Sequence, residues 1–267
     1  MELASLLPPA EFSLLHDWKR HLFADAASCS SSLNESVGVP TVPHCDRELF
    51  RSPRSYGDFL TRLYDCNMIR FDLYEGEPHN MGIFFVKKKS GQLRIIFDTR
   101  RLNEQFVAPP KTALPTAASM SAIECDPDED LVIASGDISN AFYGMSVPTS
   151  LSKLFTLPKI EGKYLADSLR VKLCLGRDQV VVARLCVLPM GWNWSLHFCQ
   201  RAVASLVESI VPDGVMIQDK SASILLRPEG KRGGGPPGFL CCLCCWGGVC
   251  RQLCCFGNLQ ENGQLSF

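Results

Sequence analysis

Leu131-Val-Ile-Ala-Ser-Gly-Asp137-Ile-Ser-Asn-Ala-Phe-Tyr143 decides how this chain is read. A short apolar run bounded by small and turn-forming residues predicts a buried β-strand. The run closes on Ser135 and Gly136, delivers one carboxylate, Asp137, and passes through Ser139-Asn140 to two aromatics, Phe142 and Tyr143. By itself an Asp after a strand forms a turn or caps a helix as readily as it does chemistry. The meaning of Asp137 therefore depends on what surrounds it.

With 267 residues the chain has length for one large domain or two small ones around a proper core. A net charge of −1 removes any global attraction to nucleic acid, so such an argument must rest on local patches. The N-terminus, Met1-Glu-Leu-Ala-Ser-Leu-Leu-Pro-Pro, lacks the basic start and apolar core of a signal peptide, and an intracellular location (nuclear or cytoplasmic) is expected. No uncharged apolar run reaches eighteen residues, so no transmembrane helix is expected. Seven of the fourteen cysteines crowd into Cys241–Cys255, while the others stand singly and suit a reducing compartment.

Three segments are predicted. Residues 1–48 hold a helix around Glu11–Phe23 and a Ser-rich linker, Ala27–Val42; residues 49–227 hold the patterned body; residues 228–267 form a Gly/Pro/Cys-rich tail expected to be disordered or frame-shifted. In the body, Phe59, Leu60, Leu63 and Tyr64 recur at helical spacing. Ile83–Phe97 reads as two strands about Ser90-Gly91, a hairpin. Residues 104–130 read as loop. Val180–Val187 reads as a strand, Leu188-Pro-Met-Gly-Trp192 as a turn, and Asn193 as the cap of a helix whose face is Leu196, Cys199, Val203, Leu206 and Ile210.

The hairpin carries Lys87, Lys88, Lys89, Arg94, Arg100 and Arg101 against Asp98, a local charge of +5 that suits a polyphosphate or a nucleic-acid backbone. The plainer alternative is a solvated hairpin whose lysines protect its edge. His16, His21, His44 and His79 have no ligand-spaced partners, and His197 reads as a packing residue.

The order of these features resembles the reverse transcriptases of retroelements. A basic hairpin is followed by Arg100-Arg-Leu-Asn103, the Asp-x-x-x-Ala-Phe-Tyr turn, Phe155-Thr-Leu-Pro158 and Leu188-Pro-Met-Gly-Trp192, over roughly Tyr56 to Val211. The resemblance implies an α+β fold with a fingers hairpin and a partial polymerase palm, without thumb, connection or ribonuclease H regions. It makes Asp137 the first carboxylate for two Mg2+ ions. Lys87 (or Lys88) and Arg94 become triphosphate-binding residues, and Arg100 and Asn103 template contacts. Phe142 becomes the aromatic gate against a ribose 2′-hydroxyl, and Met190 and Gly191 the loop under the nucleotide. The implied partners are an RNA or DNA template-primer and dNTPs.

One part of that pattern is missing. The family follows its Leu-Pro-x-Gly helix with a Tyr-x-Asp-Asp hairpin, whereas this chain has no Asp after Asp219 and only Glu229 and Glu261 as later acids. Two metals roughly 4 Å apart need carboxylates from both sides. Val215-Met-Ile-Gln-Asp219 is a weak substitute, without the tyrosine and the paired Asp. A lost reading frame near Gly230–Gly238 is the other explanation, testable in the adjacent frames of the transcript. Cys242-x2-Cys245-x4-Cys250-x4-Cys255 has the spacing of a zinc knuckle with Cys in place of its His, so Zn2+ is a further candidate; acylation of the tail cysteines is another. The expectation is a catalytically defective reverse transcriptase domain, or alternatively a non-catalytic nucleic-acid-binding module that uses the basic hairpin.

Overall fold

The structure is a computed structural model that describes residues 1–24, 42–89, 91–112, 114–124, 131–136, 138–210, 215–217, 224–225, 240–246 and 249–258. The linker residues 25–41 lie outside them, as do Asp137 and Asp219. The chain is α+β, mixed helix and mainly antiparallel sheet.

In chain order, helices α1 (Pro9–His16), α2 (Trp18–His21), α3 (Arg47–Phe50) and α4 (Pro53–Asp65) precede strand β1 (Ile69–Leu73). The hairpin of β2 (Gly82–Lys87) and β3 (Leu93–Asp98) leads into the single turn α5 (Arg100–Asn103). Next come α6 (Ala117–Ser121), β4 (Ile123–Glu124), β5 (Leu131–Gly136), α7 (Thr149–Ser152), β6 (Ile160–Glu161), α8 (Asp167–Lys172) and β7 (Val180–Leu185). The long helix α9 (Ser195–Ile210) is followed by β8 (Val215–Ile217), β9 (Ile224–Leu225), β10 (Leu240–Trp246) and β11 (Val249–Asn258).

These elements form two compact units that are not consecutive in sequence. The first gathers Met1–Ser5, Phe12–Pro109 and Phe142–Ser195; the second gathers Leu6–Glu11, Pro110–Ala141 and Leu196–Phe267. Neither begins at the expected boundary near residue 48.

In the first unit, β7 is the middle strand between β1 and β6, with Ile69 opposite Leu185, Leu73 opposite Val181, and Val181 also opposite Ile160. Residues Val181, Ala183 and Leu185 are buried, as a strand covered by neighbours requires. Helix α4 starts with Pro53 at a position where a missing N–H costs nothing, and buries Tyr56, Leu60 and Leu63 at the predicted spacing. The Tyr56 hydroxyl donates to Pro158 O at 2.7 Å, fixing the helix to the segment before β6. Phe59 and Tyr64, expected on that face, are only half-buried.

The predicted N-terminal helix is broken at Asp17, whose backbone departs from helical angles, so α1 and α2 are separate. The break lets Leu15, Trp18 and Leu22 all reach the core. Trp18 begins a chain of aromatic contacts: Trp18 to Phe106 at 6.3 Å, Phe106 to Trp192 at 5.3 Å, and Trp192 to Phe155 at 5.3 Å. Offset and edge-on pairs of this kind add to the apolar burial. Residues 12–24 are thus part of the first unit's core, not a separate appendage.

In the second unit, the sheet order is β5-β11-β10-β8. Strands β10 and β11 form an antiparallel hairpin, β11 pairs antiparallel with β5, and β10 pairs parallel with β8. A short parallel pair, β4 with β9, stands apart. Composition predicts no order after residue 228; residues 240–246 and 249–258 are strands instead. The physical reason lies in the sequence: Val, Trp and Phe in these two segments are β-favouring residues. In α9 the buried set is Phe198, Cys199, Ala202, Val203, Ala204 and Val207, so the inward stripe lies slightly round the helix from the predicted one and leaves Leu196 and Leu206 half-buried.

Candidate functional site

The most fully connected constellation joins two sequence motifs about ninety residues apart. Asn103, last in the Arg-Arg-Leu-Asn turn, donates from Nδ2 to Gly191 O at 3.0 Å, and its Oδ1 accepts the Asn193 N–H at 3.0 Å. A side-chain amide can donate and accept at once, which is why Asn serves here and Asp would not. Gly191 takes a φ of +124°, and a Cβ there would stand 2.8 Å from Phe97 O and 3.0 Å from Thr99 Oγ1. Only glycine fits. The Leu188–Trp192 loop is therefore seated on the end of β3 and the start of α5.

Below the loop, Trp192 and Trp194 are buried, and Trp194 Nε1 donates to Val107 O at 2.8 Å. Ser195 Oγ donates to Pro189 O at 2.7 Å, and the Ser195 N–H donates to Trp192 O, so Ser195 ties the start of α9 to the loop. Asn193, expected to cap that helix, instead turns its Nδ2 to Val107 O at 3.4 Å. Met190 is half-buried and Gly191 is exposed, on the open side of the loop.

Arg100 is ion-paired within the first unit. Its Nε donates to Asp98 Oδ1 at 2.9 Å and its Nη2 to Asp98 Oδ2 at 2.8 Å, a two-point grip on a buried carboxylate. Asp98 also accepts the His44 N–H at 2.7 Å. The Arg100 hydrogen bonds, then those from the backbone of His44 and Arg100, hold the Asp98 carboxyl down at about 2 despite burial. A Cβ on Gly82 would meet His44 O, so the 44–46 segment lies directly against β2, and the Asp46 N–H donates to Ile83 O. Sequence reasoning misses this anchorage, since His44 and Asp98 carry no motif.

The hairpin predicted about Ser90-Gly91 is formed by β2 and β3: Gly91 adopts a φ of +83°, and Val86 faces Arg94. Lys87, Lys88 and Lys89 are exposed, and none of the described ion pairs involves them. Arg94 is half-buried next to Tyr143, whose phenol burial pushes up to about 12 while the Arg94 charge opposes that rise. Tyr143 donates to Ile95 O at 3.3 Å and meets Phe97 edge-on at 6.3 Å. The hairpin and the aromatic end of the Asp-x-x-x-Ala-Phe-Tyr turn are thus in contact through Tyr143. Phe142, the residue matched to the gate, is 2% exposed and its ring lies in the core. The half-buried ring of the pair is Tyr143.

The run Leu131–Gly136 belongs to the second unit. Strand β5 ends at Gly136, opposite Leu253, and the sequence continues into Asp137. Because β11 runs antiparallel to β5, the closing end of the β10–β11 hairpin, Trp246 opposite Val249, belongs to that same end of the sheet. The described residues there are Trp246, Val249, Cys250, Arg251 and Gln252, without a carboxylate among them. No family model and no curated protein matches the chain.

The described residues of β10 and β11 include no Asp or Glu that could offer an anionic oxygen to a magnesium pair. Among the described residues no group of three or more His, Cys, Asp or Glu stands where it could hold a metal ion. The predicted zinc quartet fares no better in register. Cys245 faces Cys250, but Cys242 faces Cys254 and Cys255 faces Cys241. Two residues separate Cys242 from Cys245, and three strand steps put their Cα atoms about 10 Å apart, whereas thiolates on one zinc ion sit about 2.3 Å from it. His197 is buried, and that burial lowers its basicity, with the nearby charges of Glu11 and Arg201 acting in opposite directions. It packs edge-on against Phe198 at 5.6 Å. No described helix is long and apolar enough to cross a membrane.

Proposed function

We propose that this chain is a retroelement-derived reverse transcriptase domain that keeps the fingers hairpin and part of the palm and has lost polymerisation. The reading is supported by the motif order and by the Asn103 link between Arg-x-Leu-Asn and Leu-Pro-x-Gly. The observation that carries the loss is the hairpin beside β5, where Trp246 faces Val249 and no Asp or Glu stands among the described residues. In-line phosphoryl transfer relies on charge neutralisation and positioning more than on covalent chemistry by the protein. With one carboxylate and no second, the developing charge on the phosphate goes unmatched. The test is primer extension by the purified chain on poly(rA)–oligo(dT) with dTTP and Mg2+, for which no extension is expected.

A second reading rests on the lysines. Lys87, Lys88 and Lys89 are exposed, close together and outside the described ion pairs, which favours retained binding of a nucleic-acid backbone without catalysis. Counterion release makes such binding steeply salt-dependent. Fluorescence anisotropy with labelled RNA should show binding at low salt that survives Asp137→Ala and weakens in Arg94→Ala. No binding at low salt would remove this reading and leave the first untouched.

A further inference from the structure

We propose that the β10–β11 hairpin is a thiol-oxidation site, at which cysteines in facing register positions couple across the strands as disulfides. Cys241 faces Cys255, Cys242 faces Cys254, and Cys245 faces Cys250. Six of the seven cysteines between residues 241 and 255 therefore stand in facing pairs, and only Cys244 faces another residue type, Gln252. Directly opposed residues of an antiparallel pair have Cα atoms about 4.5 or 5.5 Å apart, according to whether they exchange hydrogen bonds. A disulfide accommodates Cα separations of roughly 4.4 to 6.8 Å. Both kinds of facing position meet that requirement without movement of the strands.

The irregularity in the hairpin strengthens the case. The register shifts between Cys244 and Cys245. Without the shift Cys245 would stand against Arg251; with it, Cys245 meets Cys250. A bulge inserts one extra residue and re-aims the residues beyond it, and here it converts a Cys–Arg pairing into a Cys–Cys one. The reaction itself is a two-electron oxidation. Two thiols form one S–S bond and release two protons and two electrons to a peroxide oxidant, which leaves as two molecules of water; exchange with a small thiol reverses it. Because β11 also pairs with β5, oxidation staples the strand that borders the run leading to Asp137.

Trypsin offers a direct readout, since it cuts after Arg232 and Arg251 and leaves Gly233–Arg251 separate from Gln252–Phe267. The purified full chain is reduced, treated with hydrogen peroxide, alkylated with N-ethylmaleimide, digested and weighed by mass spectrometry. The two peptides are expected joined, to separate on reduction, and to stay separate in the variant Cys254→Ser/Cys255→Ser. Cys244→Ser should leave the joined product unchanged. Oxidation in guanidinium should scramble the links, and mixed heavy- and light-isotope chains should show no heavy–light product. The proposal is overturned by fully alkylated separate peptides, by links confined to one peptide, by links between chains, or by the same pattern from unfolded protein.

Discussion

Two antiparallel hairpins, Gly82–Asp98 and Leu240–Asn258, share a backbone plan and differ in what they place near their turns. The first puts three exposed lysines there and leaves them outside the described ion pairs. The second places Trp, Val and Cys at the end of the sheet where β5 stops at Gly136. In a two-metal polymerase the first chemistry grips phosphates and the second position must supply oxygen ligands.

The comparison can be broken most severely at its base. Trp192 lies beneath the loop that rests on the end of the first hairpin, between Phe106 and Phe155. Trp192→Ala should destabilise the first unit by about 3–5 kcal/mol, read as a fall in denaturant midpoint. An unchanged midpoint would show that the aromatic chain is not the core of this unit.

A chemical difference between the hairpins is tested by charge removal. Replacing Lys87, Lys88 and Lys89 together by Ala should weaken RNA binding on the order of tenfold to a hundredfold at low salt and lower the salt slope by about 2. Replacing Cys254 and Cys255 by Ser should change neither. Equal losses from both variants would mean that binding does not reside in the basic hairpin.

Smaller effects probe how the first hairpin is anchored. The Asp98 carboxyl titrates at about 2 when folded and near 3.9 when unfolded. A depressed folded value stabilises the protein above about pH 4, and that contribution disappears as pH falls from there through 2. Asp98→Asn should therefore cost about 2 kcal/mol at neutral pH and flatten this part of the acid-unfolding curve. Asn103→Ala, which leaves the Asn193 N–H without its acceptor, should cost about 1–2 kcal/mol in urea titration.

Much of the first unit is legible in the sequence because its signals are local. The hairpin announces itself through alternation about Ser90-Gly91, and α4 through the spacing of Leu60 and Leu63. Gly191 can be placed in a turn, but the reason only glycine fits there is the approach of Phe97 O, a contact made across about ninety residues. Sequence does not reveal that Asp98, two residues away, holds the Arg100 guanidinium. Phe142 and Tyr143 are adjacent, and pattern alone does not say which ring is buried. The second hairpin escapes a sequence reading for another reason. Its cysteine density draws attention away from its β-favouring Val, Trp and Phe.

The central claim is that the chain keeps the frame of a reverse transcriptase without its reaction. Primer extension on poly(rA)–oligo(dT), with dTTP and Mg2+ and with Asp137→Ala run beside the unaltered chain, tests it most directly. The expected result is no extended primer in either lane. Extension by the unaltered chain that vanishes in Asp137→Ala would contradict it.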